Sequence, residues 1–547
     1  MPSLQTRPAD GKLSKRCAFF LFILMGCGTA SSATYHVSST GLDTHPGTTQ
    51  APFREIRKAL AVISPGDTVI VADGTYKGFN AVGIGSADTV TTIIAPGRQA
   101  EILKTTDRGI NDPNNIVVWQ CTNVVFDGFR SFNATRAGMR IIECSHVTVR
   151  NCVFGDNQYW GIVTSFSDDL LIEDNDCYGS LKEHGIYVAN SGDRPIVRRN
   201  KLHDNVASGL RSNGDIFQGG DGIITGAVYE GNIIYNNGEI GGAAMNLDGL
   251  QDGIIRNNLI FDNLSTGIAI FKGGGAEGPK GMKVLNNTII LPATARYNLR
   301  ITDVIGPILV RNNVLYNANT AKGPFSWNTP EDAAWTDSDY NAFGGGRFVS
   351  TDGEISRISM DTWRASGNEP HSLPSVALGS LFVDEPGRDY RLKAASPLID
   401  TGTPLPEVPT DILGTARPLG SAHDIGAYEY GAYSSWKANQ EFPPDTPIDW
   451  DSDEDGIPLL LEYALDMDPM KDSSPDLPTA TLTNDRLQLV YPLIRTDLIY
   501  AVETSPDLLS WTTVGVDQGI PGSTVTASVP HGEEPERQFL RLQVWLP

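Results

Sequence analysis

The chain has 547 residues, more than one compact domain accommodates, so two or three structural units are expected. At 40% hydrophobic and 20% charged it is no disordered polymer, and 56 glycines with 34 prolines fall short of a collagen-like or low-complexity composition. A net charge of −23 without a basic tail excludes general binding to nucleic-acid phosphates, which is carried by Lys and Arg.

At the N-terminus, Lys12, Lys15 and Arg16 precede the apolar run Cys17–Gly26, and Ser31-Ser32-Ala33 offers small residues where a signal peptidase cuts. The run is too short for a bilayer span, so residues 1–33 read as a secretory signal peptide. Removing them takes away four basic residues and one acidic residue and leaves −26. Leu24-Met25-Gly26-Cys27 resembles a lipoprotein cleavage box, with Met25 unusual at its place. The expectation is a secreted, soluble monomer without a transmembrane span, in the periplasm or outside the cell, with surface attachment left open. Cys121, Cys144, Cys152 and Cys177 remain after cleavage, about one repeat apart. Stacked buried thiols and a single disulfide both fit them.

Thr34–Val37 reads as a strand, and residues 51–63 have apolar side chains at helical spacing. Such a helix would plug the open end of a stacked sheet, where strand edges are unpaired. Pro65-Gly66-Asp67 then turns into the strand Thr68–Val71. Further on, a phrase recurs with Asn between short β-branched runs, at Asn175, Asn200, Asn232, Asn258, Asn287 and Asn313, and Cys152 stands in the same place one repeat earlier. The spacings are 23, 25, 32, 26, 29 and 26. An irregular period in the twenties built from such runs predicts a parallel β-helix, with an Asn ladder at a tight bend where left-handed backbone is tolerated. The fold expected over 34–345 is therefore an all-β, right-handed parallel β-helix (solenoid) with an N-terminal capping helix.

The segment Tyr35–Tyr76, with Gly41-Leu-Asp43, Pro46-Gly47, Ala51-Pro52-Phe53 and Gly66-Asp67-Thr68-Val69, resembles the opening coil of secreted β-helix proteins of the pectate-lyase-like superfamily. The resemblance runs through the repeats to about residue 345. After it, Ala395–Gly402 and Asp424–Tyr430 look like the terminal segment that follows bacterial β-helices, so residues 346–435 are expected to close the solenoid. Residues 436–475 form a linker in which Asp451, Asp453, Asp455 and Glu462 match the calcium loop D-x-D-x-D-G-x5-E, with Gly456 at the turn. Residues 476–547 alternate strands and turns and read as a small C-terminal β-sandwich, a carbohydrate-binding or surface-attachment module.

Aligning the coils gives a second strand after each bend. By alternation Ile186, Val188 and Leu210 point inward, leaving an outward column of Arg140, Val163, Tyr187, Arg211, Asn246, Ala269 and Arg300. Asn213 and Asp248 continue it two residues further along, His184 lies just before it, and the insertion 214–222 adds Asp215 and Asp221 beside it. Lys272 begins another extended loop. The resemblance implies a polysaccharide lyase acting on a uronate polymer by β-elimination. Calcium or a cation neutralises the carboxylate so that a base can take the C5 proton. Arg211 or Lys272 is the candidate base, with His184 and Tyr187 as alternatives. Asn213, Asn246 and Arg300 are candidates for substrate contact, and Asp215, Asp221 and Asp248 for an active-site calcium. A glycoside hydrolase, a C5-epimerase and a non-catalytic glycan-binding adhesin stay open as alternatives. An acidic chain repels a polyanion, so an acidic substrate requires a local basic cleft.

Overall fold

The computed structural model describes residues 32–103, 113–346, 348–443, 446–483, 485–495, 497–519, 523–531 and 537–546. The expected leader, save Ser32 and Ala33, and the Cys27 box lie outside them. No described helix is long and apolar enough to cross a membrane.

The repeats wind into a parallel β-solenoid with three faces, sheets of 12, 11 and 10 strands among the described residues. A typical coil runs from Ile196–Arg198 in the first sheet to Lys201–His203 in the second and Leu210–Asn213 in the third. Alternate side chains fill a continuous interior, to which Val197, Leu202 and Leu210 each contribute. At the N-terminal end a helix does form, but only over Ile56–Leu60, where Ile56 and Ala59 are buried in the same core.

The asparagine ladder is present. Each ladder amide oxygen accepts from the backbone N–H of its counterpart one coil earlier, and each Nδ2 donates to the next ladder oxygen, from Asn175 through Asn200, Asn232, Asn258, Asn287 and Asn313 to Asn341. The left-handed backbone falls one residue before each ladder Asn, at Asp174, Arg199, Gly231, Asn257, Asn286 and Asn312, so the ladder residues gain from their amides and not from tolerance of that conformation. A second ladder, Asn205, Asn237 and Asn263, repeats the arrangement at the next bend. The four described cysteines are buried free thiols, and Cys144 Sγ accepts the Cys121 N–H in the manner of a ladder step.

Residues beyond 346 do more than end the solenoid. Leu381, Phe382, Tyr390 and Ile425 pack on Leu259, Phe261, Ile290 and Val314 of the second sheet's outer face. Asn312 bonds Thr403 through both its amide atoms, and Asn286 donates to the carbonyls of Asp424 and Gly426. Residues 381–426 of the segment therefore lie along the bend between the first two sheets, while Ser350 and Glu354 meet only the last strands of the third sheet, at Ser326 and Arg300. In the C-terminal unit, one antiparallel sheet (Ala480–Thr483, Arg486–Pro492, Thr524–Pro530) faces a second (Ile499–Ser505, Phe539–Trp545). Leu489, Val502, Val525 and Ala527 fill the space between, an arrangement that fits a small sandwich.

Candidate functional site

Strand register confirms the outward column of the third sheet. Arg140 pairs with Val163, Val163 with Tyr187, Tyr187 with Arg211, Arg211 with Asn246, Asn246 with Ala269 and Ala269 with Arg300. Two clefts open along this column. One, of about 440 Å³, is lined by Trp160, Glu183, His184, Tyr187, Arg211 and Asn246, among others. The next, of about 360 Å³, is lined by Lys272, Arg296, Arg300, Asp303 and Asn328, among others, and shares Gly242 and Asn246 with the first. The two make one groove with Asn246 at the join, and the buried Asn246 Oδ1 there has no hydrogen-bond partner.

Rings and cations alternate in the first half. Arg136 lies over Trp160 at 5.3 Å, Trp160 meets Tyr187 at 5.8 Å, and the Arg211 guanidinium sits 5.6 Å from the Tyr187 ring. Asn213 Nδ2 approaches Tyr187 Oη at 3.4 Å, while its Oδ1 accepts the Asp215 N–H. Neither Arg211 nor Lys272 has a carboxylate partner among the described residues, and Arg296 likewise forms no ion pair. Arg300 is tethered, by Asn328 at 2.9 Å and Glu354 at 3.5 Å.

His184 is buried, and neither ring nitrogen is free. Nδ1 accepts the Ser208 N–H at 3.0 Å, so the proton sits on Nε2, which points at Glu183 Oε2 at 3.1 Å. Burial holds the imidazole below its ordinary pKa, against the pull of Glu183 and reinforced by Arg211. The hydrogen bond from His184 in turn holds the Glu183 carboxyl below the usual range. His184 is thus a positioning residue in this geometry and not a free base.

The acidic residues expected to gather calcium beside the insertion do not converge. Asp248 is buried and saturated: Oδ1 accepts from the backbone N–H groups of Gly273 and Gly275, and Oδ2 from Gly274. Asp215 caps the short turn Ile216–Gln218, and exposed Asp221 accepts the Ile223 N–H. Among the described residues one group of three potential metal ligands has atoms within 4.8 Å of one another, and it is elsewhere, at Asp451, Asp453 and Asp455. What Asp248 builds is a wall. Its loop meets the insertion where Ile216 N donates to Gly274 O and Ala276 N to Gly222 O, and Ser191 Oγ ties the base of the insertion through Gly222 N at 2.8 Å. Lys272 stands at the foot of this wall, in the other half of the groove from Arg211.

In the linker, Asp451 accepts the Gly456 N–H at 2.8 Å and Asp455 accepts from Ile457 and Ser473, which folds the loop with Gly456 at φ 85°. Glu462 is fully buried on the following helix, Leu459–Leu465, and neither carboxylate oxygen has a partner. Burial, with the charges of Asp453, Asp455 and Asp451, pushes its pKa up to about 7.

Sequence reasoning missed Trp160, Ser208 and Arg296. Trp160 opens the strand Trp160–Ser165 that places Val163 in the column, and following that strand back to its first residue would have reached it. Ser208 acts through its backbone, for which no residue-type signal exists.

Two family models match the chain: one described as a right handed beta helix region, over residues 109–223, and one described as a protein of unknown function (DUF1565), over residues 39–82. A mannuronan C5-epimerase of Pseudomonas syringae pv. tomato (strain ATCC BAA-871 / DC3000) is 35% identical over 74 residues, 13% of this chain and 14% of that protein's length. Similar solved structures include the pectate lyase Pel9A, at TM-score 0.47 and 18% identity over 74% of this chain and 98% of that one. An alginate lyase from Paenibacillus sp. str. FPU-7 has TM-score 0.39 and 18% identity over 59% of this chain and 98% of its own. The A-module of the Azotobacter vinelandii mannuronan C-5 epimerase AlgE4 has TM-score 0.35 and 16% identity over 52% and 87%. The helical-region match and the three-sheet winding together make this chain a carrier of a right-handed parallel β-helix.

Proposed function

We propose that this protein is a secreted lyase that cleaves a uronic-acid-containing polysaccharide by β-elimination, with the third-sheet groove as its substrate site. The observation that carries the reading is a set of cations, Arg211, Lys272 and Arg296, that form no ion pair among the described residues, Arg211 having only the more distant charge of Glu183 near it, along one groove of a chain whose net charge is −23. Unpaired positive charge concentrated there is what an acidic polymer needs to overcome long-range repulsion. The basic and apolar N-terminal segment supports export.

An arginine stays protonated at any working pH, so Arg211 suits the carboxylate and not the proton. Its fork of N–H donors takes the uronate carboxylate and stabilises the charge that spreads into it as the C5–H bond breaks. The Tyr187 hydroxyl, beside Arg211, is the oxygen positioned to receive that proton, and it acts as a base only as the phenolate, after its own proton has passed to solvent. The phenolate takes the C5 proton, the C4–C5 double bond forms as the C4–O bond breaks, and the proton then passes from the phenol to the departing oxygen, which returns the phenolate. Among the described residues, no three potential metal ligands gather in this groove.

A glycosidase needs two carboxylates across the scissile bond, and among the described residues the groove lining offers Glu183 in one cleft and Asp303 in the other, not a pair within either cleft. A second reading, C5-epimerisation, is favoured by the 74-residue match to a mannuronan C5-epimerase. It shares the proton abstraction but returns a proton to the opposite face of C5. Incubation with mannuronate, guluronate and galacturonate polymers in deuterated water separates the readings. Ultraviolet absorbance of an unsaturated uronate end supports the lyase, and deuterium at C5 in uncut chains supports the epimerase. Reducing ends without either signal, or binding without any product, would reject both.

A further inference from the structure

The linker holds a concentration of buried oxygen atoms without partners that the groove does not explain. Both oxygens of Glu462, Asp453 Oδ2 and the Tyr433 hydroxyl are buried and make no hydrogen bond. Glu462 lies close enough to Asp453, Asp455 and Asp451 to feel their charges, and those three already bring ligand atoms within 4.8 Å of one another. A cluster of carboxylates on a loop is ordinary where water screens it. A fully buried glutamate beside that cluster, with no donor for either oxygen, is costly unless a cation completes it.

The same helix is the junction of the two units. Tyr463 follows Glu462 in sequence, and its ring contacts Tyr433 at 5.2 Å and Trp436 at 5.3 Å, both on the helix Ala432–Asn439 that leaves the closing segment. On its other side the Tyr463 hydroxyl donates to Asp497 at 2.9 Å, Arg495 Nε donates to the Tyr463 carbonyl at 3.0 Å, and Tyr500 Oη donates to the Ala464 carbonyl at 3.2 Å. Leu460, Ala464, Leu498 and Val544 complete this core. A helix of seven residues therefore touches the acidic loop, the solenoid's closing segment and the sandwich.

We propose that loop 451–462 binds calcium and that the bound ion locks the C-terminal sandwich onto the solenoid through the helix Leu459–Leu465. The donors are all oxygens, the short carboxylates stand at alternate positions, Gly456 takes the sharp turn, and Glu462 presents two oxygens to one ion. That set favours a hard, large divalent cation over zinc, and over magnesium with its stricter geometry. Without the ion, like charges converge on Glu462 and work against seating the helix. With it, the same charges draw Glu462 inward, and Tyr463 is held between Trp436 and Arg495.

The test uses the full chain stripped with a chelator and titrated with calcium chloride alone in a calorimeter, followed by hydrogen exchange. The expected result is a single bound calcium. At free calcium a hundredfold above Kd, exchange in 432–439, 459–465 and 499–505 slows by about a hundredfold, while strands of the groove sheet are unchanged. Asp453→Asn and Glu462→Gln each weaken calcium binding by more than about tenfold and leave those segments exchanging fast in the presence of calcium. No calorimetric binding, or equal binding of magnesium, overturns the site. Calcium binding with unaltered exchange in 432–439 and 499–505 overturns the lock. Polymer cleavage by the same samples reports on the groove alone, so failure there is told apart from failure here.

Discussion

The backbone N–H of Ser208 donates to Nδ1 of His184 across one coil at 3.0 Å, and this contact decides what the histidine can do. With Nδ1 committed as acceptor, the ring keeps its proton on Nε2, against Glu183. The residue that looks most like a base from its side chain alone is thereby an anchor for the edge of the groove.

Arg211 should be the most sensitive residue of the groove. Arg211→Ala is expected to lower kcat/KM on an acidic polymer by about a hundredfold or more, the usual cost of losing a preorganised charge stabiliser. Arg211→Lys should recover little, because an ammonium keeps the charge and loses the fork. Initial rates with both variants, alongside unchanged circular dichroism, check this; full activity in Arg211→Ala would remove Arg211 from the mechanism.

Asp248 should act through the wall. Replacing it by Ala leaves the N–H groups of Gly273, Gly274 and Gly275 without their acceptor and is expected to cost at least about 1.5–3 kcal/mol in urea unfolding. KM should rise more than kcat falls, since Lys272 is displaced and Arg211 is not. Any calcium dependence of activity should stay as in the parent chain, whereas its loss would restore Asp248 as a metal ligand.

Two histidines should give opposite pH limbs of stability. His203 is stacked between Tyr178 and Tyr235, with Asp176 at 3.0 Å and Asp204 at 2.5 Å on its two nitrogens. Burial alone would lower its pKa, but the two carboxylates outweigh it and the value is raised. Its contribution is therefore full below the unfolded value of about 6.5 and is lost as pH rises through the folded value. His184 is lowered by burial, so acidification below about pH 6.5 favours the unfolded chain. Unfolding midpoints across pH should show His203→Gln losing most stability on the acid side, and His184→Gln showing a flatter acid limb than the parent. Parallel curves for parent and variants would contradict both assignments.

The ladder should not tolerate an apolar replacement. Asn258 Nδ2 donates to the carbonyls of Tyr229 and Arg256 and to Asn287 Oδ1, and its Oδ1 accepts from Asn232 twice. Asn258→Leu strands several buried groups at about 1–3 kcal/mol each. Expression should shift to the insoluble fraction, and a soluble variant with parental unfolding would show that the ladder is dispensable.

The column Tyr187–Arg211–Asn246–Arg300 was legible because period and alternation together fix which residues share a face, and neither depends on distant contacts. The positive φ at Arg199 and Asn257 was misplaced by one residue, because an Asn-rich bend does not reveal which Asn is buried for its amide and which is twisted. The second ladder was in reach, five residues after the first at Asn205, Asn237 and Asn263. Asp248 was misread for a different reason: whether a carboxylate faces an ion or a row of backbone N–H groups depends on how loop 272–276 folds back, which no repeat governs. The flanking course of residues beyond 346 likewise rests on single contacts, such as Asn312 with Thr403, that leave no periodic trace.

The ladder carries a consequence for how such a molecule can change over generations. Each amide hands its bond to the next coil, so a gain or loss of chain inside the three sheets is tolerated only as a whole coil, about 4.8 Å of axial length. Other changes in length fall in the connections that enter and leave the third sheet, as with residues 236–242 before it and 214–222 and 272–276 after it. Those connections are the rim of the groove. The monotony of the core thereby channels variation to the surface that meets the substrate, and lets a lineage alter what it recognises without renegotiating how it folds.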